Sequence, residues 1–388
     1  MALKVLMMGG RRCGKTSILS SMFNQAIHGP ISNTFTFNDE TKHVEKDGEE
    51  IDNLGNKCLE LQNLIDIRGN KTFLADENPT RNYWDYTLRL KIPGKDEDME
   101  MQFRDCPGEA FDPASIYYNE IINYTKDCDV FIVTVDTPYL MAGSKVVKEA
   151  ANIPGSIHTF LSHIKKPEAQ VIFVPVKCEK WMKEGQINDV VKGIVNLYRN
   201  TLNELLARPK GEVSIIPVQT AGDIVFKELR EPYLVYNGIT KEKIKCAKEP
   251  NDPNVVILRS GERLPLTKFD HVNQDPDGIF VGTKIIRPTA WYSLWNKPKA
   301  EFNPQNCDQI VTHILRFMFN KVKGKGFLAD LLAFIFGGIG PKDMKLALKV
   351  LDDSGLIKNN VDGIKIVKSS FLDIDPDEHV KKLLNNNN

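Results

Sequence analysis

The sequence lacks a charge excess of either sign, a cysteine framework and a long hydrophobic run. Lysine and arginine (51) balance aspartate and glutamate (51), which argues against a general nucleic-acid binder or a polybasic membrane binder. The seven cysteines form no CxxC pair and show no metal-ligand spacing. We therefore expect free thiols in a reducing compartment, and we set disulfide scaffolds and zinc sites aside.

No segment has the length and apolar character of a transmembrane helix. The longest apolar run, residues 327–340, is too short to span a bilayer and is interrupted by Asp330. It is interpreted as a buried helix, with an interfacial or partner-binding helix as the alternative. Met1 leads directly into an apolar run and residue 2 is alanine, so neither a signal peptide nor N-myristoylation is expected. These features predict a cytoplasmic protein.

Short apolar runs alternate with helical patterns along residues 2–222. Alternation of this kind implies an α/β fold with a mostly parallel sheet and helices on both faces. Residues 31–80 interrupt this pattern with polar, irregular sequence. Residues 227–303 follow it and are rich in Pro, Gly and short β-like runs. The predicted strands are 3–8, 83–92, 99–104, 130–135, 171–176 and 213–218, of which 83–92 and 99–104 form an antiparallel hairpin. The predicted helices are 15–28, 51–67, 157–164, 189–207 and 307–322.

Four regions follow from this pattern. The core covers 1–226 and carries an insertion at about 31–78, and a β-rich insertion covers 227–303. A closing helix of the core lies within 304–322, and a helical extension covers 323–388.

Residues 9–16, GGRRCGKT, match the phosphate-binding pattern G-x-x-x-x-G-K-[ST] between a predicted strand and a predicted helix. Backbone N–H groups and the helix N-terminus would surround phosphate, because both present unpaired donors there. Lys15 would reach the β- and γ-phosphates, and the Thr16 hydroxyl would bind Mg²⁺. The predicted phosphate-binding residues are Gly10, Arg11, Arg12, Cys13, Gly14, Lys15, Thr16 and Ser17.

A second motif, Asp-Cys-Pro-Gly-Glu at 105–109, follows the predicted strand 99–104. Asp105 at a strand end is placed to hold Mg²⁺ through water, and the Gly108 N–H can face the γ-phosphate. Taken alone, the motif would be an ordinary Asp-Pro-Gly turn. Its position after a phosphate-binding loop favours the metal site.

Together these motifs resemble the Ras-like and translation-factor (TRAFAC) class of P-loop GTPases, whose DCPGH motif resembles residues 105–108. The resemblance implies that Thr80, in Asn78-Pro79-Thr80, closes over Mg²⁺ and the γ-phosphate, with an ordinary turn threonine as the alternative. The region between Thr16 and Thr80 is far longer than in small members, and this insertion either shields nucleotide, binds a partner or is a plain surface excursion. Residues 7–22 also resemble single-chain GTPases of bacterial multigene systems, including the double-GTPase type of conflict or signalling systems.

The family's base-binding motif N-K-x-D resembles residues 176–179, VKCE. In the family the aspartate accepts hydrogen bonds from guanine N1–H and the 2-amino group. Glu179 keeps the carboxylate, Lys177 would lie along the base, and Val176 replaces the asparagine. Residues 219–222 resemble the S-A-K motif, which implies base contacts from the backbone of Thr220 and Ala221. A surface lysine and glutamate after a strand is the alternative interpretation.

Two residues near the expected γ-phosphate depart from the family. Glu109 stands where glutamine or histidine usually positions water; it could accept a proton from water but would repel phosphate, so slow hydrolysis is expected. Arg11 stands where a small residue is usual, and it is solvated, blocks water, or stabilises transition-state charge. Lys15 completes the predicted catalytic set.

The resemblance implies a molecular switch that binds GTP and GDP and hydrolyses GTP with Mg²⁺ as cofactor. Regulatory or effector proteins are the expected partners, and no nucleic-acid partner is evident. The alternatives are a P-loop ATPase or kinase with relaxed base specificity, and a non-hydrolysing nucleotide-bound scaffold. Competition between GTP and ATP, and turnover measurements, discriminate among them.

Overall fold

The chain folds around a large mixed sheet. The structure, a computed structural model, describes residues 2–10, 13–41, 53–68, 72–75, 83–92, 98–142, 153–209, 212–222, 226–230, 232–236, 243–249, 252–258, 262–268, 271–274, 280–281, 284–285, 292–296, 302–323, 341–358, 363–368 and 376–385. The predicted roles of Arg11, Arg12 and Thr80, and the apolar run 327–340, lie outside these residues.

Strands and helices alternate through the first half of the chain, and strands dominate the region before the long helix at Cys307. The strands are β1 (Ala2–Gly9), β2 (Thr36–Asp39), β3 (Thr72–Ala75), β4 (Trp84–Lys91), β5 (Asp98–Asp105), β6 (Val130–Asp136), β7 (Gln170–Val176), β8 (Glu212–Ile215), β9 (Phe226–Arg230), β10 (Pro232–Tyr236), β11 (Lys243–Glu249), β12 (Asp252–Leu258), β13 (Arg263–Pro265), β14 (His271–Gln274), β15 (Phe280–Val281), β16 (Lys284–Ile285), β17 (Tyr292–Asn296) and β18 (Lys365–Lys368). The helices are α1 (Lys15–His28), α2 (Leu54–Arg68), α3 (Tyr118–Asp127), α4 (Thr137–Met141), α5 (Ile153–Ser162), α6 (Glu179–Lys183), α7 (Ile187–Leu197), α8 (Arg199–Leu206), α9 (Cys307–Lys323), α10 (Pro341–Asp353) and α11 (Pro376–Asn385).

The main sheet has eight strands in the order β18-β8-β7-β6-β1-β5-β4-β2. Its five central strands, β8 to β5, run parallel, and β4, β2 and β18 pair antiparallel at the two sides. The predicted α/β fold with a mostly parallel sheet is confirmed, as is the predicted hairpin of β4 and β5.

Helices cover both faces of the sheet because the central strands are apolar on both sides. Along β1, Leu6 and Met8 pack into one cluster, and Val5 and Met7 pack into the other. The first cluster holds α3, α5, α7, α8 and α11, and the second holds α1, α9 and α10. Alternate strand residues point to opposite faces, so a single strand serves two cores.

Several local bounds differ from the sequence prediction, and two of the differences have a clear basis in the backbone. The single helix predicted at 189–207 is two helices, α7 and α8, because Tyr198 leaves helical geometry at φ −109 and ψ 20. The strand predicted at 213–218 ends at Ile215; beyond it, Ile216 and Val218 still donate to carbonyls of β7.

Both inserted regions contribute strands to a second group of sheets. Strand β17 pairs with β3, from the 31–78 insertion, and with β9, from the 227–303 insertion. A five-stranded sheet from the second region has the order β13-β12-β11-β10-β14. The C-terminal region adds β18 to the main sheet besides its helices. Among the helices that the structure describes, none is long and apolar enough to cross a membrane.

Candidate functional site

Two glycines, Gly9 and Gly14, flank the segment between β1 and α1, and both have backbone conformations that favour glycine. Gly14 is the N-cap of α1 in the left-handed region, φ 93 and ψ 28, a conformation that disfavours residues with a side chain. Gly9 is equally required, because a Cβ there would lie 2.1 Å from Thr134 Oγ1. The first N–H groups of α1 have no partner within the helix and open toward this loop.

Lys15 folds back over the loop from the first turn of α1. Its side chain is buried, and its Nζ donates to the carbonyl oxygens of Gly10 at 2.9 Å and Gly9 at 3.3 Å. The ammonium group therefore lies against the backbone carbonyls at the start of the loop, where a phosphate oxygen could replace a carbonyl as its partner. Ser17 follows in the same turn and is half-buried.

Thr16 and Asp105, which are 89 residues apart in the chain, meet beside Lys15. The Thr16 hydroxyl donates to Asp105 Oδ2 at 2.5 Å, since β5 lies next to β1 and brings its last residue to the loop. Asp105 is buried, and its Oδ1 has no hydrogen-bond partner among the described residues. Burial raises the pKa of this carboxyl, while the charge of Lys15 and the Thr16 hydrogen bond oppose the shift.

The hydroxyl of Thr16 and the carboxylate of Asp105 fit a magnesium ion. Mg²⁺ prefers hard oxygen ligands and commonly takes one or two from protein, with phosphate and water supplying the rest. The unpartnered Oδ1 is an oxygen whose burial without a hydrogen bond is unfavourable, and a cation would satisfy it.

Thr134 on β6 supports the loop and was not singled out from the sequence. Its hydroxyl donates to Met8 O at 3.0 Å and lies 2.8 Å from Cys13 Sγ. Cys13 is buried against it, so this cysteine can offer only its backbone to a ligand. The sequence feature that could have indicated Thr134 is that it is a hydroxyl residue within the otherwise apolar run of β6.

After Asp105 the chain makes a short 3₁₀ turn, Gly108–Phe111. Ala110 and Phe111 are buried in the core and anchor the turn, whereas Gly108 and Glu109 are half-buried. The buried second half of the turn fixes its position next to the end of β5. Gly108 and Glu109, the two residues predicted to lie near the γ-phosphate, therefore follow Asp105 closely.

At the same carboxyl edge of the parallel strands, the residue after β7 has an unusual backbone. Lys177 has φ 60, which is rare for a residue with a side chain and is typical of functional sites. Its Nζ forms an ion pair with Asp136 Oδ2 at 2.6 Å, and both side chains are mostly buried. Asp136 also accepts from Tyr139 N, capping α4. Asp136 was not predicted from the sequence, although its position at a strand end before Thr-Pro is a helix-cap signal.

Glu179 begins α6 and is completely buried. Its Oε1 accepts from the Ala221 N–H at 3.4 Å, while Oε2 is buried with no hydrogen-bond partner among the described residues. Burial raises the pKa of Glu179 from 4.5 to about 7, although backbone N–H groups, including that of Ala221, act in the opposite direction. The Glu179 carboxylate thus contacts the 219–222 loop through Oε1, and Oε2 can still accept a hydrogen bond. Val176, where the family has asparagine, is buried and apolar.

Helix α1 ties the 219–222 loop to the closing helix α9. Ser21 Oγ donates to Thr220 O at 2.7 Å. Gln25 donates to Pro304 O at 2.7 Å and accepts from Asp308 N at 2.9 Å. The predicted phosphate-binding residues after β1 and the predicted base-binding residues after β7 and β8 therefore lie at the same edge of the parallel sheet.

Comparisons with known proteins give distant structural similarity. No protein-family model matches the chain, and no curated protein matches it. The GTP-bound GTPase-like domain of S. cerevisiae Ski7 gives a TM-score of 0.32 at 10% identity, and its GDP- and phosphate-bound form gives 0.28 at 11%; both cover 76% of this chain and 70% of that chain. GDP-bound Roco2 RocCORdC of Methanosarcina barkeri gives 0.24 at 13% identity, covering 56% of this chain and 43% of that chain. Similarity at this level carries no argument about function, and the α/β fold assignment rests on the strand order.

Proposed function

We propose that this chain binds guanine nucleotides and hydrolyses GTP to GDP and phosphate with Mg²⁺, acting as a nucleotide-dependent switch. The observation that carries the proposal is the meeting of Lys15, Thr16 and Asp105 at the N-terminus of α1. A cation, a hydroxyl and a carboxylate gathered at a backbone anion site are the groups that a nucleoside triphosphate and its magnesium ion require.

In this proposal, the backbone from Gly10 to Ser17 surrounds the phosphates and Lys15 exchanges its carbonyl partners for phosphate oxygens. Thr16 and Asp105 would hold Mg²⁺, which would supply positive charge to the phosphate oxygens during hydrolysis. Gly108 would offer its N–H to the γ-phosphate. Thr80 would add a further oxygen ligand, and Arg11 and Arg12 would border the loop.

Water would attack the γ-phosphate in line. Catalysis would be mainly electrostatic, from Lys15 and backbone N–H groups that stabilise developing negative charge. Glu109 would orient water by accepting its proton, but its own charge would oppose that of the phosphate, so we expect slow turnover. The switch would act through regulatory or effector proteins, and free buried cysteines favour a reducing, cytoplasmic compartment.

Guanine would be recognised by Glu179 and by the backbone of Thr220 and Ala221. The unpartnered Oε2 of Glu179 supports this role, because guanine presents two adjacent N–H donors on its N1 edge and adenine does not. Lys177 would lie beside the base.

A second candidate function is a P-loop ATPase with relaxed base specificity. Its support is the apolar, buried Val176 at a position where the related motif has a polar residue, together with the ion pair that engages Lys177. This arrangement removes side-chain contacts that would otherwise favour guanine.

Equilibrium titration of the purified chain with fluorescent GDP and Mg²⁺, followed by competition with GTP, ATP and xanthosine triphosphate, tests the proposal. We expect competition by GTP at least about tenfold stronger than by ATP, because ATP leaves the buried carboxylate unpaired. Equal competition would favour the ATPase. Absence of binding would reject both functions, and tight binding without phosphate release over many turnovers would indicate a non-hydrolysing scaffold.

A further inference from the structure

A charged and aromatic cluster lies on the face of β5 opposite to the phosphate loop. Successive residues of a strand point to opposite faces, so Asp105 turns toward Thr16 on α1 and Arg104 turns toward α3. The proposed function assigns no role to residues on the α3 side of β5. The Arg104 cluster consists of Tyr83, Asp85, Arg104, Tyr117, Glu120 and Tyr124.

Arg104 holds two carboxylates with its guanidinium fork. Its Nε and Nη2 donate to the two oxygens of Asp85 at 2.7 and 2.6 Å, and Asp85 is its cross-strand partner on β4. Its Nη1 reaches Glu120 Oε1 on α3 at 3.4 Å. A bidentate guanidinium–carboxylate pair fixes orientation as well as distance. The side chain therefore joins the hairpin to the helix in one defined geometry.

Two tyrosine rings enclose the same guanidinium group. Its Cζ lies 4.0 Å from the ring centre of Tyr124 on α3 and 4.5 Å from that of Tyr83. Both distances are within cation–π range. A hydrogen bond to Glu120 raises the pKa of the Tyr83 hydroxyl, and Tyr117 packs edge-on against Tyr83.

The cluster lies next to two segments whose conformations would differ between nucleotide states in the proposed function. One carries Thr80, three residues before Tyr83, and the other runs from Asp105, directly after Arg104, to about Ser115. Glu120 follows the second segment in the first turn of α3. Arg104 thus contacts one residue after each segment, Tyr83 and Glu120.

We propose that Arg104 is a positioning residue that latches α3 onto the β4–β5 hairpin and thereby holds Asp105 in its metal-binding position. The effect on nucleotide rests on the proposed function, whereas the latch itself does not. Arg104 touches neither nucleotide nor metal in this account. It acts through the adjacent Asp105 and through α3, so that releasing the latch frees the segment between them and weakens retention of Mg²⁺ and nucleotide.

The arginine can be removed without leaving a buried charge unpaired. Asp85 and Glu120 have side-chain exposures of 43% and 46%, so water can solvate both carboxylates when Arg104, at 13%, is replaced. Arg104→Met is therefore expected to fold, and Arg104→Lys keeps the charge but loses the planar fork. Arg89→Met is a matched control, because Arg89 pairs with Glu40 at 2.7 Å near the other end of the same hairpin.

The first experiment measures amide hydrogen exchange of α3 in the nucleotide-free full-length chain. We expect Arg104→Met to speed exchange across Tyr118–Asp127 roughly tenfold, Arg104→Lys to give an intermediate effect, and Arg89→Met to give none. Unchanged exchange in Arg104→Met, or an equal effect of Arg89→Met, would overturn the latch. This readout does not require nucleotide binding, so it stands even if the wild-type chain binds no nucleotide.

The second experiment measures GDP release with Mg²⁺ and with a chelator present. We expect Arg104→Met to speed release with Mg²⁺ roughly tenfold and to change release in chelator much less, since the latch acts through the metal ligand. Ile194→Val, which trims the buried core on α7, serves as a control for lowered stability alone. Faster α3 exchange with unchanged release, or an equal change in Ile194→Val, would overturn the positioning role.

Discussion

The predicted phosphate end and the predicted base end of the candidate site differ in construction. The predicted phosphate end consists mainly of backbone: two glycines with positive φ, a helix N-terminus and the carbonyls that Lys15 contacts. At the base end, the site depends on two side chains, the buried Glu179 and the paired Lys177. Backbone geometry leaves little freedom of residue choice, whereas a side-chain contact can be replaced by another of similar chemistry.

This contrast has an energetic consequence at Glu179. Raising its pKa from 4.5 to about 7 corresponds to about 3 kcal/mol by linkage. Because the folded pKa is the higher one, the group contributes stability that is complete below pH 4.5 and is lost as pH rises through about 7. A ligand that donates hydrogen bonds to the Glu179 carboxylate would offset this cost at neutral pH.

The largest effect is expected from Lys15→Ala, which tests the phosphate end. Loss of the only cation placed over the loop among the described residues removes charge-assisted bonds to phosphate, so nucleotide affinity should fall at least about 100-fold. Isothermal titration with GDP and Mg²⁺ measures the change. Lys192→Ala, an exposed lysine on α7, is the control and should bind as wild type does. If Lys15→Ala bound nucleotide as wild type does, Lys15 would not contact phosphate and the proposed phosphate site would be wrong.

Asp105→Asn should remove most of the dependence of nucleotide affinity on magnesium. The amide keeps the size of the carboxylate but loses the charge that would hold the ion, and we expect a loss of about 10- to 100-fold with Mg²⁺ present. In chelator the variant and the wild type should bind similarly. The control is Asp112→Asn, in the loop beyond the turn. If Asp105→Asn retained the full magnesium response, the ion would have to bind elsewhere.

Glu179→Gln tests the base end by changing which base fits. A carboxylate accepts from both guanine donors, whereas an amide offers one acceptor and one donor and matches xanthine, which has a carbonyl at position 2. We expect GTP affinity to fall and xanthosine triphosphate affinity to rise, each roughly tenfold, in the competition assay. Glu184→Gln, an exposed glutamate just after α6, should leave both affinities unchanged. An unaltered preference in Glu179→Gln would show that the base lies away from this carboxylate.

A smaller effect of pH should accompany base recognition. Guanine donors pair with ionised Glu179, so affinity should decrease as pH falls through its unliganded pKa of about 7. Between pH 7.5 and pH 6 we expect a decrease of roughly eightfold, which Glu179→Gln should abolish. Parallel pH profiles for the two proteins would mean that another group is titrating.

The sequence predicted the elements on either side of residues 9–16 well, because the pattern there fixes backbone conformation. The spacing of Gly9, Gly14 and Lys15 required a strand before and a helix after, and the structure has both. It did not predict Thr134 or Asp136, whose contacts depend on how β6 packs beside its neighbours rather than on local pattern. The break at Tyr198 was also missed, since apolar spacing continues across it and only the backbone reveals the end of α7.

Long-range pairing explains what else the sequence could not give. Strand β17 pairs with β3, which lies more than 200 residues earlier in the chain. No short-range sequence pattern predicts such a pairing. Strand β18 likewise reaches the main sheet from a region that was expected to be helical. The predicted domain boundaries, and the roles of Arg11, Arg12 and Thr80, stay predictions.

The most direct test is a crystal structure of the full-length chain with Mg²⁺ and a non-hydrolysable GTP analogue. The account predicts phosphate oxygens on Lys15 Nζ, the metal between Thr16 and Asp105, and the N1 edge of guanine on Glu179. A nucleotide bound at another surface would contradict it, as would a metal that neither contacts Thr16 nor reaches Asp105 directly or through water.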